Sequence, residues 1–290
     1  MLFRSVPSAS AVGEWLREAN LVRPARRPAP KAKPSRLTVA TGTNQLWCYD
    51  FKGQFRLRNG RYCYPLTVTD DYSRMLLGCF ALTTTSIEAT RPCMEQLFRE
   101  YGLPDALRSD NGEPFASVGL AGLNTLNVSW LKQGIRLERT RPASPQENGR
   151  HERMHRTLKA ETTRPPCAEL RAQQRRFDAW RIDFNTERPH EALEMDTPVS
   201  RYEPSTRAFR EGPISTTYPG HFEVRHVRNR GHIKMAGADV YLSEALIGEH
   251  VGLNEVHDGI WQVHFISQVI CGLDLRGDKP KLIAASQLGD

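Results

Sequence analysis

Three acids, Asp50, Asp110 and Glu152, stand far apart in this chain of 290 residues. Asp50 lies in an aromatic, strand-like run, Asp110 follows the short apolar run Ala106-Leu-Arg-Ser109, and Glu152 falls in a helical stretch. Carboxylates are the hard oxygen ligands that Mg²⁺ prefers while it keeps several of its waters. Two divalent ions about 3.5–4 Å apart break and rejoin phosphodiesters, one activating the attacking oxygen and the other stabilising the leaving oxygen. Two aspartates and one glutamate would supply that pair without thiol or imidazole help. Taken singly, each acid has a commoner role. Asp50 would sit on a solvated strand face, Asp110 in a turn before Asn111-Gly112, and Glu152 on a helix laced with ion pairs. The combination carries the information.

Glu152 belongs to the stretch Arg139–Lys159, around which the chain is organised. A Pro/Ser loop, Arg141 to Pro145, leads into a helix, with Glu152 expected about two turns inside it. Residues three and four apart share a helix face, so Glu152 shares a stripe with His155, Arg156 and Lys159. Glu147 competes as the third acid. Its place near the helix start suits the helix dipole, and helical-face geometry favours Glu152. His155 reads as a polar helix residue, and His190 as a packing or capping one. His221, His226 and His232 are spaced too irregularly for zinc, and no cysteine partners them.

The elements that must position these acids follow in order. Gln45–Phe51, Cys63–Thr69 and Met75–Leu82 read as three successive antiparallel strands, with a hairpin signal at Asn59-Gly60. Ser86 caps a helix that runs to Tyr101 and stops at Gly102-Leu-Pro104. A short strand at 106–109, a helical piece, a strand at 135–140 and the Glu152 helix come next. Further helical segments fall within 167–184 and near 189–194. The order βββ-α-β-α-β-α describes an α/β mixed sheet with helices on its faces. Residues 204–220, rich in Pro and Gly, read as a linker. Beyond His221, short strands at 222–227, 238–242, 250–253 and 260–265 suggest a small all-β barrel.

Charge is unevenly placed. Residues 1–40 hold eight Lys/Arg against two acids, and residues 136–176 hold eleven against five, within a net charge of +7. Two basic segments on a balanced background suggest a polyanionic partner. The later part is different: residues 221–290 carry seven bases and nine acids, which does not support strong general DNA binding there. Residues 23–37 form a Pro/Ala/Lys/Arg-rich extended linker after one short helical pattern at 11–22. Six scattered cysteines fit buried thiols in a reducing compartment. No run of 18 apolar residues and no signal peptide are visible, so a cytoplasmic location without membrane contact is expected.

The segments Trp47-Cys-Tyr-Asp50, Ser109-Asp-Asn-Gly112 and Pro145-Gln-Glu-Asn-Gly-Arg-His-Glu-Arg153 resemble the three catalytic motifs of DDE transposases and retroviral-type integrases. The run Asp183-Phe-Asn-Thr-Glu-Arg-Pro-His190, with Leu193 and Pro198, resembles the end of the catalytic core in bacterial insertion-sequence transposases, and Val68-Thr-Asp-Asp-Tyr-Ser-Arg74 matches the same core. The resemblance covers about residues 9–275. It implies a ribonuclease H-like mixed five-stranded sheet with flanking helices, plus the small C-terminal barrel. Implied boundaries are 1–40 for a remnant helix-turn-helix helix and basic linker, 41–205 for the core, 206–220 for a linker and 221–280 for the barrel. Asp50, Asp110 and Glu152 become the metal-binding triad for two Mg²⁺ or Mn²⁺ ions. Asn148, Arg153, Arg156 and Lys159 become DNA contacts, with Arg26 and Arg27 on the basic arm touching phosphates. The implied partners are insertion-sequence terminal repeats, a target duplex and further copies of the chain on paired ends. Asp110 and Glu152 are separated by 41 residues, a longer gap than in many relatives. Most of the usual N-terminal helix-turn-helix is missing. The alternative is therefore a catalytically silent, N-terminally truncated DNA-binding fragment that regulates transposition.

Overall fold

The computed structural model describes residues 37–109, 122–140, 149–285 and 288, with Trp15 and Ala19, and at 149, 150 and 152 the backbone alone. Contacts divide the chain at Arg36/Leu37 into two compact units. In the first, the Ala19 N–H donates to the Trp15 carbonyl at 2.9 Å, closing one helical turn. All that follows concerns the second unit.

Three strands open it: β1 (Trp47–Phe51), β3 (Tyr62–Asp70) and β4 (Leu76–Leu82), with the two-residue β2 (Phe55–Arg56) paired to the start of β3. Helix α1 (Ile87–Tyr101), β5 (Ala106–Ser109), α2 (Thr125–Lys132), β6 (Arg136–Arg139), α3 (Gly149–Thr162) and α4 (Leu170–Thr186) follow. The sheet order is β4-β3-β1-β5-β6. The β1–β3 and β3–β4 pairs are antiparallel, and the β1–β5 and β5–β6 pairs parallel. This is the mixed sheet with flanking helices that the element order anticipates.

Side chains of a strand alternate between its faces. Trp47 and Tyr49 of β1 and Leu66 and Val68 of β3 therefore point one way, into a core with Met94, Leu97 and Phe98 of α1 and Leu126 and Trp130 of α2. Trp47 stacks on Phe98 with ring centroids 5.9 Å apart, and Trp130 meets the Tyr49 ring edge-on at 5.4 Å. Burying each such side chain stabilises by roughly 1.5–3 kcal/mol. The opposite face packs Leu76, Cys79 and Ala81 against Met154 and Leu158 of α3 and Phe177, Trp180 and Phe184 of α4. Helix α1 begins as its sequence indicates: the Ser86 hydroxyl accepts from the Ala89 N–H at 3.3 Å. It ends at Gly102, whose φ of +77° suits glycine and where a Cβ would lie 2.5 Å from the Ser205 carbonyl oxygen.

Strand β4 lies at the sheet edge, and α4 satisfies its outward backbone groups. The Asn185 side chain accepts from the Leu76 N–H at 2.9 Å and donates to the Leu76 carbonyl at 3.0 Å. Gln174 likewise accepts from Ala81 N–H and donates to the Cys79 carbonyl. Arg188 forks onto Glu161 at the end of α3, at 2.9 and 2.6 Å, and also reaches Asp183. His190 packs edge-on to Phe184 at 4.9 Å. The run Asp183–His190 thus ties α4 to both α3 and the sheet edge.

Within 206–220, expected as a linker, the part around Arg207 and Phe209 packs on the core. Arg207 donates to the carbonyls of Pro104 and Gly134, and Phe209 packs on Phe98. The described residues beyond 220 form short strands with two single 3-10 turns, Asn229–Gly231 and Glu244–Leu246. Strands β7 (Glu223–His226), β10 (His250–His257), β11 (Ile260–Phe265), β12 (Gln268–Asp274) and β13 (Lys281–Ile283) form one antiparallel sheet in the order β13-β12-β11-β10-β7. A separate hairpin joins β8 (His232–Met235) to β9 (Ala238–Tyr241). Among the described residues no ladder joins β13 to β7. This sheet shares a core with Leu123, Val128 and Leu131 around α2, with Lys132 bound to Glu249 at 2.7 Å. Five of the six cysteines are buried, as their spacing suggested. No described helix is long and apolar enough to cross a membrane.

Asn185→Ala would strand a buried N–H and a buried C=O on β4. Each unsatisfied group costs roughly 1–3 kcal/mol. The expected outcome is destabilisation by about 2–3 kcal/mol and, at roughly 2–4 °C per kcal/mol, a Tm several degrees lower in a thermal melt.

Candidate active site

Alternation along β1 sends Cys48 and Asp50 to the face covered by α3, opposite to Trp47 and Tyr49. Antiparallel register sets Asp50 beside Thr67 and Cys48 beside Thr69. Helix α3 lays His151, Met154, His155 and Leu158 against this patch, a spacing of one helix face. Its other face exposes Arg153, Arg156 and Lys159.

Two imidazoles therefore sit next to Asp50. His155 Nδ1 is 3.7 Å from Asp50 Oδ2, with side-chain exposures of 2% and 21%. Thr67 Oγ1, fully buried, lies 2.7 Å from His151 Nε2 and 2.6 Å from His155 Nε2. The same hydroxyl is 3.2 Å from the Asp50 carbonyl oxygen, and Thr69 Oγ1 is 3.1 Å from His151 Nδ1. The rings meet edge to face at 4.4 Å. Burial, with a smaller contribution from Lys52, lowers the His151 pKa to about 3. Burial, then His151 and Lys52, pushes that of His155 lower still. Both imidazoles are neutral at physiological pH.

His155, read from sequence as a polar helix residue, is instead buried, and His151 was not singled out at all. The strand face opposite α3 explains both: the threonine hydroxyls and the Asp50 carboxylate give buried imidazoles their partners, which solvent would otherwise supply. The i,i+4 pair His151/His155, in phase with Met154 and Leu158 and facing a Thr-x-Thr strand, was the available signal.

Glu152 lies in α3, Gly149–Thr162. Arg156 and Lys159 are exposed, while His155 turns inward, so the stripe expected on α3 divides between solvent and core. Asp110, Glu147, Asn148, Arg26 and Arg27 lie outside the described residues. The register pairs Cys48 of β1 with Arg108 of β5, and in sequence Asp50 and Asp110 follow two residues after each.

Asp50, His151 and His155 each offer a ligand atom within 4.8 Å of the others. Three of the four ring nitrogens are engaged by threonine hydroxyls and the fourth faces the carboxylate, so Asp50 presents an oxygen donor, which fits a hard divalent cation. Beside it opens a cleft of about 800 Å³, lined among others by Thr69, Arg74, Arg108, His151 and Arg153.

Two Integrase core domain families match residues 40–145 and 133–198, and the IS481 family transposase C-terminal domain matches residues 222–281. An uncharacterized 31.7 kDa protein of insertion element IS407 from Burkholderia multivorans is 28% identical over 203 residues, covering 69% of this chain and 70% of that protein. The Gag-Pol polyprotein of avian reticuloendotheliosis virus is 33% identical over 140 residues, 48% of this chain and 11% of the polyprotein. Among solved structures, the HTLV-2 integrase catalytic core domain in complex with magnesium, in its trimeric form, aligns with 14% identity and a TM-score of 0.45, covering 57% of this chain and all of that one.

The buried histidines link stability to pH. Their folded pKa values lie below the unfolded value near 6.5, so the unfolded state binds more protons below that pH. Their contribution is complete above pH 6.5 and is lost as pH falls, by about 2 kcal/mol per histidine at pH 5. Urea midpoints should drop between pH 7.5 and pH 5, with a flatter profile in the double variant His151→Asn/His155→Asn.

Proposed function

The chain belongs to the superfamily that unites bacterial insertion-sequence transposases of the DDE class with retroviral-type integrase cores, and on that premise we propose that it is a transposase that cuts and joins DNA at the ends of an insertion sequence. The observation that carries this reading is the position of Asp50. It lies on the sheet face covered by α3, the helix that contains Glu152, and β1 runs parallel to β5, the strand that immediately precedes Asp110.

In this reading Asp50, Asp110 and Glu152 hold divalent cations. Two Mg²⁺ or Mn²⁺ ions bound there would supply Lewis-acid activation of the attacking oxygen and stabilisation of the leaving oxygen. Water cleaves the phosphodiester at the element's end and liberates a 3′-hydroxyl, which then attacks a target phosphodiester in line. Arg153, Arg156 and Lys159, exposed on α3, receive the DNA backbone beside the reacting bond. Asn148 and the basic arm with Arg26 and Arg27 add contacts. Phosphate neutralisation makes the affinity sequence-independent and steeply salt-sensitive. The C-terminal sheet and hairpin would complete the small barrel and, with the shared core around α2, support assembly of several copies on paired ends. The boundaries 1–40, 41–205, 206–220 and 221–280 describe this organisation as remnant helix with basic linker, catalytic core, linker and small C-terminal barrel.

The test is Mg²⁺-dependent nicking and joining on a duplex that carries the element's ends. Asp50→Asn, Asp110→Asn and Glu152→Gln should each lose more than about 100-fold, since changes to residues that merely support metal ligands already cost 10–100-fold. Glu147→Gln should stay active. Loss with Glu147→Gln in place of Glu152→Gln would move the third acid. An inactive wild type that still binds the ends would favour the regulatory DNA-binding fragment.

A further inference from the structure

The hairpin that β2 forms with the start of β3 carries charge of one sign. Between Asp50 and Asp70 stand Lys52, Arg56, Arg58 and Arg61, and no acid. Alternation sorts the side chains of the hairpin. Leu57 and Cys63 are buried in the layer shared with α3 and α4, and Phe55 meets the Phe177 ring edge-on at 6.5 Å. Arg56, Arg58, Arg61 and Tyr62 are exposed. Among the described residues none of these three arginines has an ion-pair partner. The Arg56 guanidinium instead lies over the Tyr62 ring, 4.9 Å from its centroid, and Tyr62 is paired with Arg56 across the two strands.

The hairpin is fixed in place at its tip. The Arg58 N–H donates to the Cys167 carbonyl at 3.0 Å, and the Asn59 N–H to the Ala168 carbonyl at 3.1 Å. Cys167 is in turn held at the C-terminal end of α3. The Gln173 side chain accepts from the Cys167 N–H at 3.1 Å and donates to the Thr162 carbonyl at 3.0 Å. A helix rises about 1.5 Å per residue, so Thr162 lies about 16 Å along the axis from His151, which packs beside Asp50. Arg153, Arg156 and Lys159 are exposed along that length. Cations therefore run from the Asp50 end of α3 to the hairpin at its other end.

We propose that the β2–β3 hairpin is a second contact for duplex DNA, with Arg56, Arg58 and Arg61 on phosphates about five base pairs from the bond being cut, at 3.4 Å per step. Guanidinium groups fork onto phosphate oxygens, and such contacts place a duplex without reading its sequence. The buried anchors Leu57 and Cys63 and the two tip hydrogen bonds pre-order the hairpin, which lowers the cost of binding. The ring of Tyr62 steadies Arg56 from below. This inference rests on the reading of α3 as the helix that receives DNA.

The test follows the affinity of the full chain for duplexes with and without the element's ends, from about 50 to 200 mM salt. Each lost phosphate contact makes the slope of log K against log salt shallower by about 0.9. The triple variant Arg56→Gln/Arg58→Gln/Arg61→Gln should lose about two to three from that slope, equally on both duplexes. The triple variant Arg56→Lys/Arg58→Lys/Arg61→Lys keeps the charge and should stay within about one of wild type. A glutamine variant with the wild-type slope overturns the proposal, and so does a lysine variant as shallow as the glutamine one. On the element-end duplex, the hydroxyl-radical footprint of wild type should reach about five base pairs farther from the cut than that of the glutamine variant. Coincident footprints overturn the proposal as well. Arg156→Gln/Lys159→Gln separates the two readings. Slope lost there and kept in the hairpin variant overturns the hairpin contact and leaves the α3 reading standing. Slope lost in the hairpin variant alone sinks the α3 contact and leaves the hairpin on DNA.

Discussion

The two-residue period of β1 and β3 is the constraint on which the rest depends. It sends Trp47, Tyr49, Leu66 and Val68 to one face, where α1 and α2 close a large aromatic core. The same period leaves Asp50, Thr67 and Thr69 on the other face, a polar patch inside an otherwise apolar layer. A helix laid over such a patch must carry groups that answer it, since buried polar atoms without partners are costly. His151 and His155 answer it. On the same helix, Met154 and Leu158 pack with the apolar residues of α4. The acid that gives the patch its chemistry is thus held on one side by the strand register and on the other by a helix that cannot rotate without burying Arg153 or Arg156.

The remaining elements of the core support that sandwich. Strand β4 would be an exposed edge, but the side chains of Gln174 and Asn185 satisfy its backbone. Arg188 draws the end of α3 onto α4 through Glu161 while lying over the Trp180 ring. On the far side, Arg108 of β5 and Glu138 of β6 form a buried pair at 2.8 Å, and Thr38 binds both. The segment just after the basic arm is thereby fixed to the parallel half of the sheet. The C-terminal strands extend the same unit through the apolar residues around α2.

Much of this was legible in the sequence, for identifiable reasons. The first three strands, α1 and β5 are marked by alternation, by the Ser86 cap and by Gly102, all local signals. Asp183–His190 was legible as a motif, but its physical role was not, because Asn185 and Arg188 act on residues far away in the chain. Strands β8, β12 and β13 escaped notice: β8 and β13 are short and β12 carries Cys271-Gly272 in place of clean alternation. Residues 206–220 read as a linker because Pro and Gly dominate, and composition gives no sign of the anchors Arg207 and Phe209 near its start. The burial of His151 and His155 was the least visible feature. Histidine has no strong preference for inside or outside, and only the pairing of Asp50 with Thr67 shows what the rings would meet.

The most direct measurement is an anomalous difference map from crystals of the full chain grown with Mn²⁺. The account predicts density at the Asp50 carboxylate, shared with Asp110 and Glu152, with both imidazoles still on Thr67. Density on His151 and His155, or none at Asp50, would contradict it.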